Sequence, residues 1–291
     1  MNKISYIELG ATLFVPAIHK KLNAIVLDDK YPELRSVLID TEDGIGEDSL
    51  QRALSSIQKL LKLYKKEKLL VFIRPRNVEV LREILQFENI DKIDGFILPK
   101  FSLQNAENYF ALLEKSSFLV MPSIEGEELF NQKNLHKLKD ILLEYKEKII
   151  LLRFGLEDML KQLKMKRSCK DSIFDLSATS YVLGAFIAIF KSAGFAISGG
   201  VYPCFKDEEG FVRDVKRDLK EGLFSKTIIH PKQIEITNEL YKVTKEEFEE
   251  ALEICENDFA VFNQNDKMAE IVTMKPRSQE IVLRAEVYGV V

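Results

Sequence analysis

Eight short apolar runs constrain this chain more than any other feature of its sequence. They are TLFVPA (12–17), SVLIDTE (36–42), LLVFIRP (69–75), DGFILPK (94–100), FLVMPSIE (118–125), IILLRFG (149–155), GFAISGG (194–200) and KTIIHP (226–231). Each is continuous rather than alternating, the pattern of parallel strands covered on both faces. Segments of helical character lie between them. In 49–66 the apolar and aromatic residues Leu50, Ala53, Leu54, Ile57, Leu60, Leu61 and Tyr64 repeat with a period of about 3.6, one face of a helix. Stretches 103–115, 127–146, 172–192 and 207–222 read the same way. Eight such units predict an α/β chain folded as a closed (β/α)8 barrel. An open doubly wound sheet is the alternative, because a count of units does not prove closure.

At 291 residues and 46% apolar content the chain suits one barrel with a large core. Charged residues make up 30%, with a net charge of −4. That balance argues against a nucleic-acid surface, which needs a basic patch. The longest apolar stretch, YVLGAFIAIF (181–190), is too short to span a bilayer and reads as a buried helix. The opening MNKISYIELG lacks the basic-then-apolar pattern of a signal peptide. A cytoplasmic protein without a membrane partner is expected. Cys169, Cys204 and Cys255 are odd in number, far apart and without CxxC spacing, so reduced thiols are expected. Residues 1–243 are assigned to the barrel and 244–291 to a helical extension or lid. The extension opens with a helix, TKEEFEEALEICENDFAVFNQ (244–264), in which Thr244 and Glu247 match a capping box.

Barrel chemistry sits at the C-terminal ends of the strands. There the runs are followed by Asp40, Glu42 and Asp43; by Arg74 and Arg76; by Lys100; by Ser123 and Glu125; by Arg153, Glu157 and Asp158; and by His230. Capping or a rim ion pair is the common fate of any single strand-end charge. Their accumulation at several strand ends is harder to attribute to capping. Glu125 and Asp158 follow adjacent runs and can face one cation. Hard oxygen donors without Cys or His suit Mg2+ or Mn2+, and such an ion polarises a carbonyl. A neighbouring Arg can grip a carboxylate or stabilise an enolate. Lys100 can be an anion contact or a Schiff-base amine. His230, followed by Pro231, can be a strand-end contact or an acid/base. His19 and His136 are expected to face solvent.

The motifs LFVPA (13–17), IDTEDGI (39–45), FIRPRN (72–77), GFILPK (95–100), PSIEGEE (122–128), FGLEDML (154–160), VYPCFKDEEGF (201–211) and IIHPKQIEITNELY (228–241) occur in an order that resembles the citrate lyase β-subunit and HpcH/HpaI aldolase superfamily. The resemblance implies a TIM barrel, assembled as a homo-oligomer (trimer or hexamer), that cleaves or forms acyl-CoA thioesters or 2-keto acids with Mg2+. It places the family's catalytic Arg on Arg74, its metal ligands on Glu125 and Asp158, and its acidic pair on Glu42 and Asp43. Arg76 and Lys100 join Arg74 as contacts for a small anionic substrate. KMAEIV (267–272) puts Glu270 in a lid that reaches a neighbouring subunit's site. The chain also departs from the pattern. Arg76 stands where Asn is usual, Gly126 replaces Thr, SGG (198–200) replaces an Asp, and Gly10 and Ala11 stand where a basic residue is common. These changes bear on CoA more than on the metal. The expected function is a Mg2+-dependent carbon–carbon bond lyase. A CoA-independent 2-keto acid aldolase and a non-catalytic binding or assembly barrel are the alternatives. Replacing Glu125 or Arg74 is expected to abolish turnover without unfolding the barrel.

Overall fold

The computed structural model describes residues 4–264 and 267–291. They form two compact units, Met1–Ile234 and Glu235–Val291; the boundary expected from sequence fell after residue 243.

In the first unit seven strands form one parallel sheet. They are β1 (Thr12–Pro16), β2 (Ser36–Asp40), β3 (Leu70–Arg74), β4 (Gly95–Leu98), β5 (Leu119–Ile124), β6 (Arg153–Phe154) and β7 (Thr227–Ile228), in the order β6-β5-β4-β3-β2-β1-β7. Each lies within one of the expected apolar runs. The connecting helices are α1 (Leu22–Val26), α2 (Leu50–Leu63), α3 (Val78–Ile84), α4 (Ala106–Leu113), α5 (Gln132–Glu144), α6 (Leu156–Gln162), α7 (Ser177–Ser192) and α8 (Glu208–Lys220). The stripe read on 49–66 is the buried face of α2, where Ala53, Leu54, Ile57, Leu60 and Leu61 are all buried. YVLGAFIAIF lies inside α7, and among the described residues no helix is long and apolar enough to cross a membrane.

The run at 194–200 forms no strand, a correction to the eight-strand expectation. Its backbone is nevertheless bonded on both sides. Leu152 N–H donates to Ala196 O (2.8 Å) and Ser198 N–H to Leu152 O (2.9 Å), while Phe224 N–H donates to Ile197 O (3.0 Å) and Thr227 N–H to Gly199 O (3.3 Å). Gly199 and Gly200 leave room for neighbouring side chains: a Cβ at Gly199 would meet Asp218 Oδ2 at 2.3 Å, and one at Gly200 the Phe154 ring at 3.2 Å. Strand geometry gives way there to close packing.

Leu38 and Phe72 lie in register across β2 and β3, as do Ile97 and Met121 across β4 and β5. With Leu9 and Leu151 they make a solvent-free cluster, onto which Ile4 and Tyr6 also pack. Arg153, read from sequence as a strand-end charge, is buried. Its guanidinium donates to Thr227 Oγ1 (2.8 Å), Thr12 Oγ1 (3.0 Å) and Met121 Sδ (3.4 Å), tying β6 to β7, β1 and β5.

The second unit holds α10 (Lys245–Glu256), the antiparallel hairpin β8 (Val261–Gln264) and β9 (Lys267–Glu270), and α11 (Ile271–Tyr288); α9 (Lys232–Tyr241) spans the division between the units. The helix expected over 244–264 therefore stops at Glu256, and the β-prone VFNQ pairs with KMAE instead. Half of the expected capping box forms. Thr244 Oγ1 accepts from Glu247 N–H (3.2 Å), while the Glu247 carboxylate pairs with Arg284 (3.0 Å).

Candidate active site

Parallel register brings the strand ends together. Asp40 ends β2 and lies directly opposite Arg74, which ends β3. The Asp40 carboxylate takes Arg74 in a two-pronged grip, Nε to Oδ1 at 2.7 Å and Nη2 to Oδ2 at 3.0 Å. It also accepts the backbone N–H groups of Glu42 (3.0 Å) and Gly44 (2.8 Å). Planar fork-to-carboxylate pairing fixes orientation as well as charge. Arg74 Nη1 stands 3.0 Å from Glu42 Oε2 as an ion pair, but not in hydrogen-bond geometry, so the buried Oε2 has no hydrogen-bond partner.

Lys100 joins the two halves of the mouth. Its ammonium lies 2.5 Å from Glu42 Oε1 and 3.3 Å from Asp43 Oδ1, and its backbone N–H donates to Glu125 Oε1 at 2.6 Å. To do both, Lys100 adopts φ 46°, in the left-handed region. That conformation is costly for a residue with a Cβ and persists where surrounding contacts enforce it. Burial disfavours the charged amine, but Glu42 and Asp43 outweigh it and push the Lys100 pKa up. The amine stays protonated, which disfavours the Schiff-base reading.

Burial raises the Glu42 pKa, helped by Asp43 and opposed by Arg74 and Lys100. Burial acts in the same direction on Asp43, but Lys100 and Arg74 prevail and lower it. Glu125 is 5% exposed. Burial, with repulsion from Glu42 and Asp158, pushes its carboxyl to about 7, against the pull of the Lys100 N–H and of Arg74. Asp158 is half-buried in the first turn of α6. Gln162, one turn further along, sends Nε2 to the carbonyl of Glu125 (2.7 Å) and to that of Asp158 (3.2 Å). It clamps the main chains that carry both carboxylates.

Gly155 makes room for Glu125. A Cβ there would lie 2.0 Å from Glu125 Oε2 and 2.3 Å from Glu125 Cβ. Gly155→Ala is expected to cost about 1–3 kcal/mol of stability through overpacking, read from the urea midpoint. It should also displace the Glu125 carboxylate; an unchanged midpoint would mean that the loop yields.

The structure thus brings Glu42, Asp43, Arg74, Lys100 and Glu125 into contact, with Asp158 close enough to raise the Glu125 pKa. Arg76 Nη2 donates to the carbonyls of Ile45 (2.9 Å) and Glu42 (3.4 Å), holding the loop that carries the acidic pair. Glu270 lies in the second unit, where β9 meets α11, and its side chain makes no capping bond to that helix. His230 uses Nδ1 to accept from Lys232 N–H (3.2 Å) and stacks on Phe205 at 5.0 Å, a strand-end contact; His19 and His136 are exposed. Sequence reasoning left two residues without a role. Asp40 carried a usable signal, since it ends its apolar run as Arg74 ends the next. Gln162 carried only its four-residue spacing from Asp158.

The donor set suits a small divalent cation. Asp40, Glu42, Asp43, Glu125 and Asp158 are five carboxylates against the three cations Arg74, Arg76 and Lys100, an excess of two negative charges when all are ionised. Among the described residues no cluster of three His, Cys, Asp or Glu side chains forms a ready cage. A Mg2+ site built from one or two carboxylates plus waters and substrate oxygens needs none.

Several known proteins resemble the chain. A (3S)-malyl-CoA thioesterase of Cereibacter sphaeroides (strain ATCC 17025 / ATH 2.4.3) is 23% identical over 241 residues, 82% of this chain and 79% of that protein. Citrate lyase subunit beta of Escherichia coli K12 is 26% identical over 151 residues, 50% of this chain and 48% of that subunit. A citrate lyase structure from Burkholderia xenovorans LB400 superposes with a TM-score of 0.78 at 16% identity, covering 99% of this chain and 97% of that one. CitE of Mycobacterium tuberculosis, in complex with magnesium, acetoacetate and coenzyme A, gives 0.70 at 16% identity, covering 97% and 99%. At such identity the two structures speak for a shared fold. The sequence model of the C–C bond lyases of the TIM-barrel fold matches residues 3–290, and the chain belongs to that family.

Proposed function

We propose that this chain is a Mg2+-dependent carbon–carbon bond lyase that cleaves or forms a bond α to a carbonyl through an enolate. The observation that carries the reading is the Glu125–Asp158 pair, clamped by Gln162 beside Arg74 in a mouth with excess negative charge. Glu125 and Asp158 would hold the ion, which when bound supplies Lewis-acid polarisation of the substrate carbonyl. Arg74, held by Asp40, presents a fixed guanidinium toward developing negative charge. Lys100 and Arg76 add positive charge for a substrate carboxylate. Glu42, with a raised pKa and an Oε2 that has no hydrogen-bond partner, is the group that exchanges a proton with the substrate carbon. The substrate is an acyl-CoA thioester or a free 2-keto acid. Residues 194–200 serve as the seventh stave of a closed eight-stave barrel, and residues 244–291 as a lid. Glu270 completes the mouth of a neighbouring copy in a homo-oligomer.

Calorimetric titration with Mg2+ tests the metal. Heat with the wild type and none with Asp158→Ala is expected; equal heat would sink the reading. Gln162→Ala should weaken Mg2+ binding about tenfold, the usual effect of removing a residue that orients a ligand. Acyl-CoA thioesters and free 2-keto acids, each with and without a chelator, then separate the chemistries. Turnover of keto acids alone would exclude the thioester branch. Similarity to a malyl-CoA thioesterase over 82% of the chain favours a second reading, thioester hydrolysis. Release of free CoA with the acyl carbon skeleton intact would establish that reading instead. The absence of turnover in every case would favour a binding or assembly barrel.

A further inference from the structure

Cys169 and Cys204 were expected as separate reduced thiols. They are joined in a disulfide, with Cα atoms 6.1 Å apart and a sequence separation of 35. That Cα separation suits a disulfide without backbone movement. Cys169 lies between α6 and α7, beyond the helix that carries Asp158. Cys204 lies between the 194–200 segment and α8. The bond therefore crosses between two loops on the C-terminal side of the sheet.

Two other contacts join the same loops. Arg167 Nη2 donates to Val201 O (3.1 Å) while its Nη1 pairs with Asp214 (2.9 Å). The Tyr202 hydroxyl lies 2.9 Å from Cys169 O and 2.8 Å from Asp207 Oδ2, both acceptors, so its proton serves one at a time. Arg167 and Tyr202 are themselves buried. These contacts join the loops independently of the covalent link. Cys169 is exposed and Cys204 half-buried, so an external thiolate approaches more readily from the Cys169 side. Lys170 follows Cys169 directly and Lys206 lies two residues beyond Cys204. Positive charge beside a cysteine favours the thiolate that must leave.

We propose that Cys169–Cys204 is a reversible thiol–disulfide exchange site whose partner is a small thiol or dithiol, and whose state sets the stiffness of the two loops. In the reductive direction a thiolate attacks Cys169 Sγ, a mixed disulfide forms there, and Cys204 leaves as a thiolate. The reductant's second thiol then releases Cys169. Two electrons and two protons pass from the dithiol to the protein, and the reductant becomes a disulfide. This site does not depend on the metal or on the lyase reading.

Thiol counting on the folded full chain tests it. The chain has three cysteines, of which Cys255 is free. A chromogenic thiol reagent should count one thiol per chain in the oxidised protein and three after dithiothreitol in native buffer. Oxidised glutathione should return the count to one. The far-UV dichroism should stay the same, while the melting temperature falls by roughly 5–10 °C on reduction. A Cys204→Ser variant should take up glutathione at Cys169 at least about fivefold faster than a Cys169→Ser variant does at Cys204, because exposure governs attack. A count that stays at three with oxidised glutathione would show that the bond does not form. A count that stays at one until urea is added would show a closed structural bond. Either result overturns the proposal.

Discussion

Arg74→Ala should lower folding stability by about 3–5 kcal/mol, the usual result of removing one partner from a buried ion pair. It should also reduce turnover by roughly 10²–10³-fold through the loss of a preorganised donor. The sequence predicts loss of turnover without unfolding of the barrel, and the buried pair adds a stability cost to that expectation. Asp40 is 3% exposed and gives both carboxylate oxygens to this guanidinium, and Glu42 is equally buried beside it. Without Arg74, Asp40 keeps only two backbone N–H donors and Glu42 only Lys100 in a poorly hydrated site. Adding Asp40→Ala to the same variant should recover part of the stability, because the two residues are one unit, and none of the turnover. Urea midpoints and rates with keto-acid or thioester substrates provide the readouts. A single variant as stable as the wild type would show that water reaches the pair freely.

Glu125→Gln has the second large effect, and it changes sign with conditions. The carboxyl of Glu125 lies at about 7 in the folded protein against an ordinary value of 4.5. Between those values the unfolded chain is ionised while the folded one holds the proton. The folded state binds more protons, so stability falls as pH rises from about 4.5 to about 7. The drop is on the order of 3 kcal/mol. Glutamine carries no such charge, so the variant should keep its stability across that window and exceed the wild type above it when no metal is present. Mg2+ reverses the order, because the ion and the proton compete for the same oxygens. Wild-type affinity should climb about tenfold per pH unit below 7 and then level off, whereas the variant should bind at least about a hundredfold more weakly. Parallel stability–pH curves for the two proteins would overturn this assignment.

Most of the sheet was legible because burial on both faces forces unbroken apolar runs, and seven of the eight runs contain a strand. The run at 194–200 misleads because its glycines serve side chains packed from outside, Asp218 and Phe154, which a pattern along the chain does not register. Arg153 misleads for a related reason. It stands near the end of an apolar run, but a strand sends alternate residues to opposite faces, and its long side chain turns into the interior toward Thr12 and Thr227. The VFNQ hairpin strand was absorbed into a helix because the preceding charged segment carries strong helical signals and Asn257 is a weak stop. The disulfide was invisible, since 35 residues of spacing become 6.1 Å only once two loops are folded side by side. In the mouth, the charged residues were legible by position. Their mutual engagement was not: Arg74 is already gripped by Asp40 and ion-paired with Glu42.

Lys100 holds Glu42 and Asp43 with its ammonium and Glu125 with its backbone N–H, through one left-handed residue. The acidic pair and Glu125, the proposed cation ligand, are therefore not independent. An anion that draws the ammonium away from Glu42 also disturbs the peptide that steadies Glu125. By the reciprocity of coupled equilibria, whatever factor such an anion adds to the affinity for a cation, the cation adds to the affinity for the anion.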